Sequence, residues 1–547
     1  MSFLDALNEP QRRAVEHTDG PVIIVAGPGS GKTRVLTYRI AYLMSEKKDA
    51  FGNGIDPFNI LALTFTNKAA KEMRERIEHV VSVEARNLYI GTFHAVFARL
   101  LRRDAQHLGY PSNFSIYDTD DAKSLIKSII KELGLNDTYY KPGTVYNRIS
   151  GAKNGLITPA EYAKNFTLRS DDEQSGRPRL WEIYQKYAER CFKAGAMDFD
   201  DLLIKMYELI TKFPDVLHKY QQRFKYILID EFQDTNNAQY QIVKLLGAVH
   251  ENITVVGDDA QSIYSFRGAT IENILSFQKD YPDTIEIKLE QNYRSTQHIV
   301  NAANAVIKKN KFQIAKEIWT ENHHGDKIKL FKSMSDNDEG KIIADSIFEE
   351  KMRAQRMNKD FVILYRTNAQ SRAFEEALRR LNIPYVVYGG LSFYQRKEVK
   401  DLLAYLRLSV NNYDEEALKR IINYPTRGIG QTTMDKAAVV ANEKGLRLWD
   451  VISGAAEHLQ GTRSMNALND FVMLIKSYAL LLHTKNAFDL ASHIARTSNI
   501  HNDLYNDKTV EGLSRYENLQ ELLNGIREFS EGDAPAISED GEVMENM

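Results

Sequence analysis

The chain has 547 residues, 43% of them hydrophobic and 27% charged, which is enough for several domains that each bury a core. No apolar run has the length of a membrane span and no basic-then-apolar signal opens the chain, so we expect a cytoplasmic protein without a membrane partner. The single cysteine, Cys191, excludes an intrachain disulfide. The formal charge of −3 argues against a uniformly basic surface but leaves room for a local basic groove.

A glycine-rich loop lies between a predicted strand and a predicted helix near the start of the chain. It reads Ala-Gly-Pro-Gly-Ser-Gly-Lys-Thr over residues 26–33, with Ala26 where the loop pattern has glycine. In such a loop the backbone N–H groups surround a phosphate, Lys32 reaches the terminal phosphates and the Thr33 hydroxyl ligates Mg²⁺. Three glycines supply the backbone freedom of the turn: Gly27, Gly29 and Gly31. The sequence therefore predicts a site for a nucleoside triphosphate and Mg²⁺.

An acidic pair follows a second buried strand. Residues 115–197 consist of amphipathic, charge-rich stretches without strong strand signals, which predicts a helical insertion. The α/β pattern resumes at 224–231, where an apolar run ends in Asp230 and Glu231. We expect Asp230 in the coordination shell of a phosphate-bound Mg²⁺ and Glu231 to orient or deprotonate the attacking water.

A third strand ends in polar and aromatic residues over 253–269. Gln261 stands where an amide can sense a γ-phosphate. Tyr264, Phe266 and Arg267 offer stacking faces and a cation to an unpaired nucleic-acid strand. Core packing is the alternative for these aromatics, and it is strongest for Tyr264.

Short motifs then recur along nearly the whole chain in one order. They lie at Gln11, 26–33, 64–70, 91–94, 198–201, 229–234, 257–269, 290–296, 364–370 and 389–394. In kind and order they resemble the superfamily 1 DNA helicases of the Rep/UvrD/PcrA type. The resemblance implies an α/β fold of P-loop, RecA-like parallel-sheet motor domains with two mostly helical insertions. The implied domains are the first motor (1–114 and 198–284), its insertion (115–197), the second motor (285–390) and its insertion (391–547). Within the last, residues 528–547 are acidic and poor in apolar residues, so we expect a disordered tail there.

The resemblance also assigns roles to single residues. Adenine would be held by Gln11 and Arg39 and stacked by Tyr293, and the terminal phosphates would meet Lys32, Gln261 and Arg294. The loop residues Ser30 and Arg34 complete the expected nucleotide contacts. Single-stranded DNA would run over Phe65, His94, Phe199, Tyr264, Phe266 and Arg267, and duplex phosphate would meet Arg427, Gly428 and Gly430.

Three of these assignments have ordinary structural alternatives. His94 equally fits a hydrogen-bonded histidine inside a turn. The loop 424–430 equally fits a plain connection between helices. For the acidic run 198–201 we expect helix capping rather than a metal site, because aspartate is a favoured N-cap and no further ligands are indicated.

The family's last two motor motifs are not found after Leu391. We therefore expect an incomplete second motor domain, an exposed sheet edge or apolar surface, and slow ATP hydrolysis, because an arginine that reaches across the cleft is missing. The expected activity of the family is ATP-dependent 3′→5′ DNA unwinding in repair or replication restart, on single-stranded DNA and its junctions with duplex. The alternatives are an ATP-regulated DNA-binding module and the helicase part of a helicase–nuclease.

Overall fold

The structure is a computed structural model that describes residues 3–81, 87–265, 268–311, 313–388 and 392–532. Eight strands are formed within these ranges: β1 (Val22–Ala26), β2 (Ile60–Thr64), β3 (Tyr89–Thr92), β4 (Ser115–Tyr117), β5 (Ala196–Asp198), β6 (Tyr226–Ile229), β7 (Ile253–Gly257) and β8 (Ile285–Leu289).

The helices of the first half of the chain alternate with these strands. They are α1 (Glu9–Glu16), α2 (Lys32–Ser45), α3 (Asn67–Val81), α4 (Phe93–Asp104), α5 (Thr119–Glu132), α6 (Pro142–Asn154), α7 (Pro159–Lys164), α8 (Phe166–Gln174), α9 (Leu180–Lys193), α10 (Phe199–Lys212), α11 (Pro214–Arg223), α12 (Asn237–Gly247) and α13 (Glu272–Asp280). Capping boxes, in which two residues satisfy each other's free backbone N–H groups, set the starts of α1, α5, α7, α10 and α12.

After β8, the described part of the chain forms helices separated by irregular segments. Its helices are α14 (Gln297–Ile307), α15 (Asp336–Ala354), α16 (Ser371–Arg380), α17 (Lys397–Val410), α18 (Glu415–Ile421), α19 (Gln431–Lys444), α20 (Leu448–Ser453), α21 (Ala455–His458), α22 (Met465–Leu481), α23 (Ala487–Thr497), α24 (Ile500–Asn506) and α25 (Val510–Gly532). None of the described helices is both long and apolar enough to cross a membrane.

The main sheet is parallel throughout, with the strand order β3-β2-β6-β7-β1-β8. It is buried on both faces, and alternate residues of β1 belong to different cores. Ile23 and Val25 enter one hydrophobic cluster, whereas Val22, Ile24 and Ala26 enter the other. All parallel strands end at the same edge, which places the residues after β1, β6 and β7 next to one another.

The stretch predicted as a helical insertion forms helices α5–α9, with one detail that the sequence did not indicate. Helices α5–α9 have their own core, which includes Cys191 as a buried packing residue. The insertion begins and ends in the short strands β4 and β5, which pair in parallel. This ladder holds the two ends of the insertion together at the border of the motor.

One strand at the predicted border between the two motors pairs with the first sheet. Residues 285–289 are expected to open the second motor, but β8 pairs with β1 and forms the edge of the first sheet. Sequence periodicity identifies a strand without identifying its neighbour, and this neighbour lies about 260 residues away in the chain.

The other strands predicted for the second motor are also not formed. Residues 327–331, 361–365 and 385–388 contain no ladder in the structure. Their sequences are rich in β-branched and aromatic residues, as strands are, and Ile363 and Tyr385 pack against a small core between α15 and α16. A strand needs a hydrogen-bonding neighbour, and among the described residues these three segments have none.

Helices α17–α25 pack around a single hydrophobic core, as expected for a helical second insertion. The disordered tail was predicted from residue 528, but α25 continues to Gly532. The remainder of that prediction, 533–547, lies outside the described residues.

Candidate nucleotide and nucleic-acid site

The glycine-rich loop joins the buried strand β1 to the start of α2. Gly29 (φ 70°) and Gly31 (φ 88°) adopt left-handed backbone conformations that side chains with a Cβ rarely adopt. The Ser30 hydroxyl donates to the carbonyl of Gly27 at 2.7 Å and fixes the turn from inside. The first N–H groups of α2 have no acceptor within the helix, so this end of α2 favours anions.

Two contacts join this loop to the acidic pair at the end of β6. The Nζ of Lys32 lies 3.0 Å from Oε2 of Glu231, and the Thr33 hydroxyl lies 3.2 Å from Oδ2 of Asp230. The two contacts join segments that are about 197 residues apart in the chain, so these four side chains lie together. The convergence that the sequence predicts is present in the structure.

The acidic pair is electrostatically strained in this arrangement. Burial, together with the neighbouring charge of Glu231, raises the pKa of Asp230 to about 6. Glu231 has a left-handed backbone (φ 50°), which is uncommon for a residue with a side chain. A hydroxyl and a buried carboxylate that lacks a cation of its own are hard oxygen donors of the kind Mg²⁺ prefers. The residues present therefore fit a magnesium ion held by Thr33 and Asp230.

Gln261 lies at the same edge, within a polar network after β7. Its amide nitrogen donates to Oδ2 of Asp258 at 2.7 Å. Gln233 links this network to Asp230 and Glu231, which we call the acidic turn. It accepts from the Asp258 N–H at 3.0 Å and donates to Glu231 at 2.9 Å. The sequence did not identify Lys316, which pairs with Asp258 at 3.0 Å.

The segment after β8 covers the loop. The side-chain amide of Asn292 donates to the carbonyl of Pro28 at 2.6 Å, and the Tyr293 N–H donates to the carbonyl of Gly29 at 3.0 Å. Arg294 lies beside Gly29 and is exposed. The sequence does not indicate the Asn292 contact, because an asparagine within a motif carries no sign of which carbonyl it binds.

The expected adenine-binding residues divide into two groups. Gln11 is buried, accepts from the Asn8 N–H and donates to the carbonyl of Ser30 at 2.9 Å, and the Asn8 amide reaches the Tyr293 hydroxyl at 2.7 Å. Both Gln11 and Tyr293 are thus beside the loop. Arg34 lies in the first turn of α2, with its guanidinium 5.3 Å from the ring centre of Tyr38.

The assignment of Arg39 to adenine is wrong in this structure. Its side chain is 1% exposed and donates to the carbonyls of Ala14 and His17 at the end of α1. Burial lowers the pKa of Arg39 to about 10. The guanidinium braces α1 against α2 and does not face the loop.

Aromatic side chains from four strand ends form two pairs. The rings of Phe65 and Tyr264 are 4.9 Å apart, and those of His94 and Phe199 are 6.0 Å apart, edge to face. Phe199 is 46% exposed, and burial lowers the pKa of His94, which keeps the ring neutral. We call these four residues, predicted to lie along single-stranded DNA, the DNA track. The other two residues predicted for it, Phe266 and Arg267, lie outside the described residues.

The loop at 424–430 is only partly as expected. Arg427 is directed inward and donates to Tyr405, Tyr424, Ser498 and other groups of its own helical domain, so its assignment to duplex phosphate is wrong. Gly428 and Gly430 are exposed, and Gly430 precedes the first turn of α19. Their backbone contact with a duplex stays a prediction.

The acidic run after β5 serves as a helix cap. Asp198 accepts from the Asp201 N–H at 2.8 Å at the start of α10, and the described residues contain no cluster of three or more metal-binding side chains. The preference for capping is confirmed. The sequence did not reveal that Lys153, buried in the insertion, pairs with both aspartates at 2.7 and 2.8 Å.

Comparison with known proteins identifies the family. Residues 7–282 match the model of the UvrD/REP helicase N-terminal domain, and residues 287–545 match that of the UvrD-like helicase C-terminal domain. The chain belongs to the UvrD-like helicase family. It is 43% identical to the ATP-dependent DNA helicase PcrA of Bacillus subtilis over 97% of this chain and 70% of that protein. It is 42% identical to the PcrA proteins of Staphylococcus aureus (strain Mu50), over 97% of this chain and 71% of the relative, and of Staphylococcus epidermidis, over 96% and 70%.

The comparisons give no support to the expectation of an incomplete second motor domain. The C-terminal family match begins within β8, at residue 287, and extends to residue 545. The expected slow hydrolysis accordingly stays a prediction for measurement.

Proposed function

We propose that this chain is an ATP-dependent DNA helicase that moves along single-stranded DNA. The observation that carries the proposal is the convergence of Lys32, Thr33, Asp230 and Glu231 at the start of α2. The aromatic pairs at the same sheet edge supply the nucleic-acid surface, since stacking of a base on an aromatic ring contributes about 1–3 kcal/mol whatever the base. Membership of the UvrD-like helicase family supports both the nucleotide site and the nucleic-acid surface, and the named relatives are DNA helicases.

The geometry assigns a task to each group of the cleft. Lys32 exchanges its contact with Glu231 for the terminal phosphates, which frees the Glu231 carboxylate to orient a water and accept its proton. The water oxygen then forms the new bond to the γ-phosphorus as the bond to the ADP oxygen breaks. Thr33 and Asp230 would hold Mg²⁺, which supplies positive charge to the phosphates. Gln261 and Arg294 complete the proposed contacts with the γ-phosphate.

The first test is steady-state phosphate release by the 547-residue chain with and without single-stranded DNA. We expect DNA to stimulate hydrolysis in the wild type. Glu231→Gln should lower the rate by about 10²-fold or more while ATP still binds, because the amide cannot accept the proton. Lys32→Ala should abolish ATP binding. Lys48→Ala is the matched control, since this lysine is exposed and bonds only the carbonyl of Ser45.

The outcomes separate a motor from a binding module. Binding of ATP and DNA without DNA-stimulated hydrolysis would contradict the proposal and favour an ATP-regulated binding protein. Unwinding of a duplex with a 3′ single-stranded tail, compared with one carrying a 5′ tail, measures the proposed 3′→5′ direction. The phosphate-release assay also gives the absolute rate of hydrolysis, which tests the prediction of slow hydrolysis.

A further inference from the structure

The last turn of α6 contacts one residue close to the DNA track and one close to the acidic turn. Asn154, the final residue of α6, donates through Nδ2 to Oδ1 of Asp200 at 2.9 Å. Its Oδ1 accepts from Nδ2 of Asn236 at 2.6 Å. A further bond to the carbonyl of Ser150 uses the other donor of the same amide. A single side chain of the insertion therefore bridges two segments of the motor.

One end of this bridge leads to the DNA track. Asp200 directly follows Phe199, the most exposed of the described track aromatics. The neighbouring Lys153 is 2% exposed and pairs with Asp198 and Asp201, which fixes the start of α10 to the end of α6. Because buried charges with two close partners hold their geometry tightly, a displacement of Phe199 is carried into α6.

The other end leads to the acidic turn. Asn236 is buried at the start of α12, five residues after Glu231. The side-chain amide of Asn273 donates to the carbonyls of Thr235 and Asn236 at 3.0 and 3.3 Å, so this stretch of backbone is held from a second side. A shift of Asn236 is therefore transmitted along a restrained backbone towards the groups that face the nucleotide.

We propose that Asn154 is a positioning residue that couples occupation of the DNA track at Phe199 to the geometry of the turn that carries Asp230 and Glu231. The inference rests on the proposed function, because it explains how DNA would stimulate hydrolysis. An amide suits this role, since it donates to the carboxylate of Asp200 and accepts from the amide of Asn236 at once. Neither alanine nor aspartate reproduces both bonds.

The test compares Asn154→Ala and Asn154→Asp with the wild type. We expect unchanged hydrolysis without DNA and a loss of DNA stimulation by roughly two- to thirty-fold, the range of mutations that weaken coupling between sites. Coupling is reciprocal for binding. The ratio of single-strand affinities with and without a non-hydrolysable ATP analogue should therefore move towards one. Asn136→Ala is the matched control, since Asn136 lies exposed in the same insertion and its side chain accepts from the N–H of the nearby Thr138.

A double variant tests the hydrogen bond itself. In Asn154→Asp combined with Asp200→Asn, the amide and the carboxylate change places, so the amide at position 200 donates to the carboxylate at position 154. That carboxylate still accepts from Asn236. We expect the double variant to recover DNA stimulation to within about three-fold of the wild type. This comparison remains decisive if Asn154→Ala does not fold.

Each result supports the inference or overturns it. If Asn154 has only a structural role, its variants lower basal and stimulated rates together and leave their ratio unchanged, which overturns the inference while the proposed function stands. A wild type that DNA does not stimulate overturns the proposed function, and the inference with it. A selective fall in the ratio with recovery in the double variant supports the coupling.

Discussion

At the scale of single residues, two arginines show why a motif alone does not assign a role. Arg39 and Arg427 both lie in stretches that match the family, and both donate to backbone carbonyls inside their own domains. An arginine has five donors in a fixed geometry, so it can satisfy several carbonyls that helix ends and tight loops leave free. Arg34 and Arg294, by contrast, lie beside the loop.

Asp200 leads to a prediction about pH. Burial and the charge of Asp198 raise its pKa to about 6, above the ordinary value of 3.8. The folded state therefore binds this proton more tightly than the unfolded state does. The resulting stabilisation is fully present below about pH 4 and is lost as the pH rises through 6.

Asp200→Asn remains neutral and escapes this loss. We expect its free energy of unfolding to match that of the wild type near pH 4. Above pH 7 it should be higher than that of the wild type by at most roughly 3 kcal/mol, for two pKa units. Urea unfolding at both pH values measures the difference. Asp137→Asn, at an exposed position of the first insertion, is the control and should leave the difference between the two pH values as in the wild type. Equal stabilities of Asp200→Asn and wild type above pH 7 would contradict the assigned environment.

At the scale of elements, the contact between α17 and the first insertion depends on a few buried polar groups. Nδ2 of Asn411 donates to the carbonyls of Ala194 and Gly195 at 2.9 and 3.1 Å and approaches the Ser115 hydroxyl at 3.1 Å. Ion pairs surround it, namely Lys400–Asp118, Lys400–Asp120, Arg407–Asp121 and Arg190–Glu415. The helical second insertion is thus attached to the two ends of the first.

Asn411→Ala should loosen this attachment. It leaves two buried carbonyls without their side-chain partner, at a cost of about 1–3 kcal/mol. We expect faster hydrogen exchange in residues 113–118 and 194–198, measured by mass spectrometry on the whole chain. Asn412→Ala is the control, because its amide donates to the carbonyl of Leu408 in α17 and not to the first insertion. Unchanged exchange in β4 and β5 would show that the ion pairs alone hold the contact.

Local motifs were predictable at this scale, whereas contacts between distant segments were not. The loop at 26–33 and the cap at Asp198 depend on neighbours within a few residues, and both are present. Lys153 has the sequence context of an ordinary helix lysine, and its partners lie 45 or more residues away. The pairing of β8 with β1 was equally hidden, since alternation along a strand carries no information about which strand lies beside it.

At the scale of the whole molecule, the described part of residues 290–388 differs from the first motor in its burial. Along residues 361–365, the odd positions are partly covered by α15 and α16 while the even positions face outwards. The outward apolar side chains here and in the neighbouring segments are 63–96% exposed: Ile328, Leu330, Val362, Leu364, Val386 and Tyr388. Alternating apolar residues on an open face without ladder partners are a site of self-association.

The final prediction concerns this face. Val362→Thr combined with Leu364→Thr should reduce binding of a hydrophobic dye and slow aggregation, with little change in the unfolding midpoint, because both side chains lose no packing. Ile363→Thr is the matched control on the opposite side. It replaces an apolar side chain that packs against the core of Ala344, Leu378 and Ile383 and should lower the unfolding midpoint.

Static light scattering and thermal unfolding of the 547-residue chain measure the two effects separately. If the even-position pair lowers the unfolding midpoint as much as Ile363→Thr does, the outward face is covered in solution and the alternation has another cause. If it changes only the aggregation rate, the two faces of this segment differ as the burial pattern requires, and the open face limits solubility rather than folding.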